Sequence, residues 1–127
     1  MANIIPAPTF ANGIDDKDGW IITWGPMHNG DIGVTSPIYE PLFCNFRDRS
    51  FQIEGTPGAG FGFSWEGSND GINYRTLKDP FNNLLNLVAV GLINEILEAV
   101  VFYRPHVTSG DDATAVTVTA FFGKTKP

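Results

Sequence analysis

The sequence predicts an all-β fold, an antiparallel β-sandwich or jelly-roll of about six to eight short strands with at most one short helix. Three observations carry that expectation. Apolar and polar residues alternate with a period of two in Arg49–Glu54, Phe61–Glu66 and Thr114–Phe122. Turn signals rich in Gly, Pro, Asn and Asp recur about every eight to twelve residues, the spacing of a sandwich or barrel. Helical spacing occurs only in Gly91–Leu97, where Leu92, Ile96 and Ile93 fall to one side over a single turn.

Taken in order, residues 1–19 read as an extended N-terminal arm, punctuated by Pro6, Pro8, Asn12 and Gly13. Trp20–Trp24 is β-branched and aromatic, as a strand should be, and Gly25, Pro26, Asn29 and Gly30 follow as a loop. Asp31–Ser36 is a weaker strand, and Pro37 and Pro41 mark edge or loop structure. Arg49–Glu54 sets Phe51 and Ile53 against Ser50, Gln52 and Glu54, and Phe61–Glu66 aligns Phe61, Phe63 and Trp65. The glycine-rich stretch Gly55–Gly60 between them predicts a hairpin.

Gly67–Gly71 is a strong turn signal and Asn73–Leu77 a further strand. Asp79–Asn83 turns again, Leu84–Val90 reads as a strand, and Glu98–Thr108 as another, with Pro105 predicting a bulge or an edge position. Ser109–Asp112 leads into the last alternating run. No repeat appears, and residues 1–127 read as a single β-sandwich domain.

Composition fits a packed core. Of 127 residues, 43% are hydrophobic and 13% aromatic, while 17% are charged, below the usual figure of about 25%. The net charge of −6, with eight scattered Lys and Arg, disfavours nucleic acid and anionic membrane as partners, because both reward a basic face. The single Cys44 excludes an internal disulfide and predicts a small buried thiol. The N-terminal residues lack the pattern of a signal peptide, and the apolar stretch Leu84–Ile96 is too interrupted to span a bilayer. These features predict a soluble chain folded in a cytoplasm.

No catalytic set is expected. His28 and His106 are the only histidines and, with Cys44, have no zinc-ligand spacing; both read as surface or rim residues. There is no GxSxG elbow, and the glycine loops lack the ending of a phosphate cradle. Asp15, Asp16, Asp18, Asp111 and Asp112 lack the calcium-loop pattern and read as solvated turns. Glu54 and Glu66, on strands expected to be neighbours, are placed to approach each other, but each falls on its strand's polar side. The expectation is therefore no catalytic residue, no metal and no cofactor.

What remains is apolar surface. Trp20, Trp24, Phe43, Phe46, Trp65, Phe81, Tyr103 and Phe121 are many rings for a small sandwich, and surplus aromatics serve interfaces. Ile4, Ile5 and Phe10 lie in a segment without periodicity, which reads either as a floppy terminus or as an arm lying along a neighbouring subunit. Ile4, Ile5, Phe10, Trp20 and Trp24 are accordingly the expected partner-binding residues.

The stretch Asp48–Thr119 resembles small virion proteins of tailed bacteriophages. The likeness lies in RSFQIEGTPG, in WEGSNDGINYRTLKDP, in a short amphipathic piece ending at Glu98 and in YRPHVTSGDDAT before an alternating last strand. Residues 1–45 match it less well, so the arm is not carried over from it. Several such proteins are capsid cement or decoration proteins with β-sandwich or jelly-roll folds. The resemblance implies a non-enzymatic homo-oligomer (dimer or trimer) on the capsid exterior, assembled in the host cytoplasm, that binds and stabilises neighbouring major capsid protein subunits. A tail or head-completion component is the nearest alternative. A carbohydrate-binding sandwich is another, since the GSNDG turn also resembles one in discoidin-like modules; Trp20, Trp24 or Tyr74 would then stack on sugar.

Overall fold

The computed structural model describes residues 3–4, 9–10, 19–33 and 48–123, with the side chains of 21–33 and 48–123. The chain is all-β, with no helix among the described residues. Five strands are long: β3 (Gly19–Met27), β5 (Asp48–Thr56), β6 (Gly62–Ser68), β10 (Phe102–Ser109) and β11 (Ala115–Gly123). The rest are short: β1 (Asn3–Ile4), β2 (Thr9–Phe10), β4 (Ile32–Gly33), β7 (Arg75–Thr76), β8 (Asn86–Leu87) and β9 (Leu92–Glu95).

The strands form two sheets. One runs β1-β4-β10-β6-β7, with β8 beside β7 on the same edge of β6; the other runs β2-β3-β11-β5-β9. Pairing is antiparallel except between β1 and β4. From β3 to β6 the chain changes sheet at every step. It then stays for β7 and β8, returns for β9, and alternates through β10 and β11. That winding sets β3-β11-β5-β9 against β4-β10-β6-β7, which is the jelly-roll arrangement of an antiparallel sandwich.

Alternation along each strand builds the core. Ile22 and Trp24 of β3, Phe51 and Ile53 of β5 and Val116, Val118, Ala120 and Phe122 of β11 point inward from one sheet. Phe63 and Trp65 of β6 and Tyr103 and Val107 of β10 meet them from the other, with Met27, Phe61, Leu77, Leu85 and Ile96 sealing the ends. Rings bridge the sheets: Trp24 and Trp65 lie edge to face at 5.7 Å, Phe51 stands 5.4 Å from Trp65, and Tyr103 stands 5.0 Å from Phe122. Such pairs contribute about 0.5–1.5 kcal/mol each beyond their burial. The indole Nε1 of Trp65 is buried with no hydrogen-bond acceptor among the described residues, a cost the ring's packing must offset.

Tyr103 also fixes the connection into β10. Its hydroxyl donates to Glu98 O (3.1 Å) and accepts from Val100 N–H (3.0 Å). Asn69 Oδ1 accepts from Val101 N–H, and Arg49 donates to the carbonyls of Ile96 and Leu97. A segment without regular structure thus has its backbone groups satisfied by side chains from both sheets.

Several expectations are corrected. Arg49–Glu54 and Phe61–Glu66 do not form a hairpin, because β5 and β6 belong to opposite sheets. Alternation tells which face a residue takes but not which strand lies beside it. Gly55, Gly58 and Gly60 carry φ of 122°, 72° and 69°, and a Cβ on Gly55 would meet Ala115 O at 2.5 Å, so this loop needs glycine to cross between sheets. The expected turn of helix at Gly91–Leu97 is instead β9, paired to β5 from Ile53↔Leu92 to Ser50↔Glu95. Its apolar residues satisfy either period over so few positions, and pairing with β5 decides. Leu84–Val90 contributes only Asn86–Leu87 as a strand, and Asn73–Leu77 only Arg75–Thr76. Pro105 is buried inside a sheet, between β4 and β6, not at its edge, and the bulge falls later, between Val107 and Ser109.

Phe51→Ala should lower unfolding free energy by about 3–5 kcal/mol in denaturant titrations, since it removes a ring that touches the opposite sheet. Tyr103→Phe should cost about 1–3 kcal/mol by stranding Glu98 O and Val100 N–H.

Candidate functional site

Of the residues with chemical potential, Glu66 and His106 meet on one outer face, 3.1 Å apart, and the others are dispersed. Glu54 and Glu66 lie on the outer faces of opposite sheets, so the expected approach does not occur. Glu54 accepts from Gln52 Nε2 (2.8 Å). His28 is exposed, and its Nδ1 lies 3.0 Å from Thr114 O. Asp111 is a loop brace: its carboxylate accepts from Ala59 N–H and Ala113 N–H, tying the β5–β6 crossing to the β10–β11 turn. No group of three or more His, Cys, Asp or Glu side chains able to hold a metal ion occurs among the described residues. Asp15, Asp16, Asp18 and Cys44 lie outside the described residues.

The expected partner-binding residues fall in different places. Trp24 is corrected: it is 0% exposed and packs on Trp65, so it belongs to the core and presents nothing to a partner. Ile4 belongs to β1 and Phe10 to β2, each the outermost strand of its sheet on that side among the described residues. Residues 3–4 and 9–10 therefore pair with the chain's own sheets. Trp20 belongs to β3, opposite Phe122 of β11. The side chains of Ile4, Phe10 and Trp20 lie outside the described residues, as does Ile5 entirely. Of the other surplus rings, Trp65 and Tyr103 are core, and Phe43 and Phe46 lie outside the described residues.

The exposed apolar surface is elsewhere. Between β7 and β8 the chain makes a small projecting hairpin, closed by the Lys78↔Leu84 bridge, with Phe81 at its tip, 85% exposed. Asp79 shapes that tip: its carboxylate accepts from Phe81 N–H and Asn83 N–H, both at 2.9 Å, and Asn82 takes φ of 69°. Leu97 N–H donates to Lys78 O, so Leu84 and Leu97 flank the same strand, 54% and 44% exposed. Beside it runs β9, the last strand of its sheet among the described residues, with Ile93 70% exposed. Phe81, Pro80, Ile93, Asn94, Glu95 and Ser50 line an open hollow of about 490 Å³. From Ser50 and Ile93 it continues onto the outer face of the second sheet, past Gln52, Thr119, Ile21 and Phe121.

A second apolar tip has the same construction. The GSNDG turn is held by Ser68 Oγ, which accepts from Asp70 and Gly71 N–H, and by Asp70 Oδ1, which accepts from Ile72 and Asn73 N–H. It presents Ile72, 82% exposed. Both turns are legible in the sequence and Phe81 stands out there as a surplus ring, whereas Ile72 does not. The available signal was a bulky apolar residue two positions after a turn aspartate, in Asp70-Gly71-Ile72 and Asp79-Pro80-Phe81.

Backbone N–H donors hold the carboxyls of Asp70, Asp79 and Asp111 below the ordinary value of 3.8, led by Asn73 for Asp70, Asn83 for Asp79 and Ala59 for Asp111. A depressed native value means the unfolded chain takes up the proton first. The stabilisation is present above the unfolded value and is lost as pH falls through and below about 3.8. Unfolding followed by circular dichroism should show stability falling with acidification in that window, and the combined Asp70→Asn, Asp79→Asn variant should show a shallower dependence there.

Compared with known proteins, no family model, no curated protein and no solved structure matches the chain.

Proposed function

We propose that the protein is a non-enzymatic structural protein of a phage virion, a capsid cement or decoration protein that binds and stabilises neighbouring major capsid protein subunits. The observation that carries the reading is the apolar surface where Phe81 and, on β9, Ile93 stand exposed, β9 being the last strand of its sheet among the described residues. Bulky apolar side chains held outward on braced turns have no use inside the chain and suit a partner's surface. The jelly-roll winding is compatible with this role, and the motifs of Asp48–Thr119 supply the phage likeness; a fold of this kind hosts many functions and does not select one alone.

The mechanism follows from the surface. A neighbour's extended segment can add to β9 as a further strand, while its side chains fill the hollow beside Phe81. Each such contact is modest. Symmetric copies on a shell make the second and later contacts effectively intramolecular, so an assembled lattice is held far more tightly than a free subunit. The carbohydrate-binding alternative is weakened at two of its three stacking residues: Trp24 is sealed in the core, and the Arg104 guanidinium lies over the Tyr74 ring.

Co-sedimentation should show the purified chain bound to assembled shells of the phage that encodes it and far less bound to isolated capsid subunits; equal affinity for both defeats the reading. The double variant Phe81→Ser, Ile93→Asp should weaken shell binding at least about tenfold, as expected for two central apolar contacts. Its thermal unfolding should stay close to that of the parent, since both side chains are exposed.

A further inference from the structure

The outer face of the sheet containing β6 and β10 carries a polar assembly that neither the core nor the β9 surface uses. Arg104 of β10 stands directly opposite Glu66 of β6, and its Nε donates to Glu66 Oε1 at 2.7 Å. The other carboxylate oxygen, Oε2, lies 3.1 Å from Nδ1 of His106. The Arg104 guanidinium carbon lies 3.8 Å from the centre of the Tyr74 ring. Arg104, His106 and Glu66 keep side-chain exposures of only 26%, 19% and 14%.

The guanidinium is therefore fixed at two places, its Nε by a carboxylate and its plane by an aromatic face. Its two terminal nitrogens have no hydrogen-bond partner among the described residues and are not sealed from solvent. An arginine normally loses much side-chain freedom when it binds; here most of that loss is already incurred in folding. What is left is a rigid fork of N–H donors, the geometry that matches a carboxylate bidentately. Tyrosine and arginine are also the residue types that dominate binding energy at protein interfaces.

We propose that Arg104, positioned by Glu66 and Tyr74, is an anchor for one carboxylate side chain of a partner protein. The charge of the assembly selects that ligand. Glu66 already offsets one positive charge, so the fork suits a monoanion that can be bound by directional donors. A phosphate dianion would bring twice the negative charge against the Glu66 carboxylate, which disfavours it relative to a monoanion. The inference rests on reading the chain as a binding protein, but not on which protein it binds.

Acetate is the probe, titrated into the isotope-labelled full chain at ionic strength matched with sodium chloride, with phosphate as a parallel arm. The Arg104 Nε–H resonance and the Tyr74 ring should shift saturably, with a dissociation constant on the order of 10 mM, the strength of one or two charge-assisted hydrogen bonds. Arg104→Lys should abolish saturation while keeping the charge. Tyr74→Leu, which leaves the Arg104–Glu66 pair in place, should weaken binding about threefold. A linear shift, an equal shift in chloride, or saturation that survives Arg104→Lys means an adventitious ion only and overturns the proposal. Tighter binding of phosphate than of acetate overturns the choice of ligand. Shell binding is measured separately, so it can fail while the acetate site holds, and the reverse.

Discussion

The two sheets are held face to face by rings that reach across the gap, and most of what the molecule presents outside follows from that contact. Trp24 and Phe51 come from one sheet, Trp65 and Phe63 from the other, and each approaches a ring of the opposite layer. Rings meeting edge to face have preferred angles as well as preferred distances, so they fix the rotation of one sheet on the other, not merely their separation. With the inner faces so aligned, every residue at an intervening position is turned outward. Glu66 and Arg104 share one outer face for that reason, and Gln52 and Thr119 share the other. The same contact explains why Trp24 is unavailable to a partner.

The part of the fold that depends on residues close in sequence was legible. Period-two alternation located β5, β6 and β11 to within a few residues, and Gly55–Gly60, Gly67–Gly71 and Asp79–Asn83 all mark changes of direction. Pairing was not legible, because it depends on which distant strand offers its edge. Phe51 and Phe63 look like hairpin partners in the sequence, yet they face each other across the core from separate sheets. The candidate surfaces divide in the same way. Phe81 stood out as a surplus aromatic, and its turn was recognised. Ile93 was assigned to a helical turn, and its exposure became visible only once β9 was docked on β5. Glu66, Arg104 and His106 meet only because β6 and β10 pair in one register, and no local pattern announces a contact between residues so far apart.

The exposed apolar tips depend on polar atoms. Ile72 and Phe81 stay outward because the backbone of each turn is hydrogen-bonded to an aspartate within it, Asp70 and Asp79. A loop left to itself would fold such side chains back against the nearest apolar surface. Here the carboxylates hold the backbone in the turn conformation while the hydrophobes remain in water. The turn geometry is thus held by ion-to-amide hydrogen bonds within each turn and is ready before any partner arrives.

The winding also has a consequence for how the chain is made. β11 lies between β3 and β5, and it follows both in the chain. Until it emerges, the second sheet has no centre: β3 and β5 have no edge to share, and Trp24 and Phe51 have no layer to complete. The middle of this sheet is therefore made after both of its flanks, so β3 and β5 wait for a strand that follows them at long sequence separation. A nascent chain stalled before Ala115 would leave two bare strand edges in solution, a species for chaperones to guard.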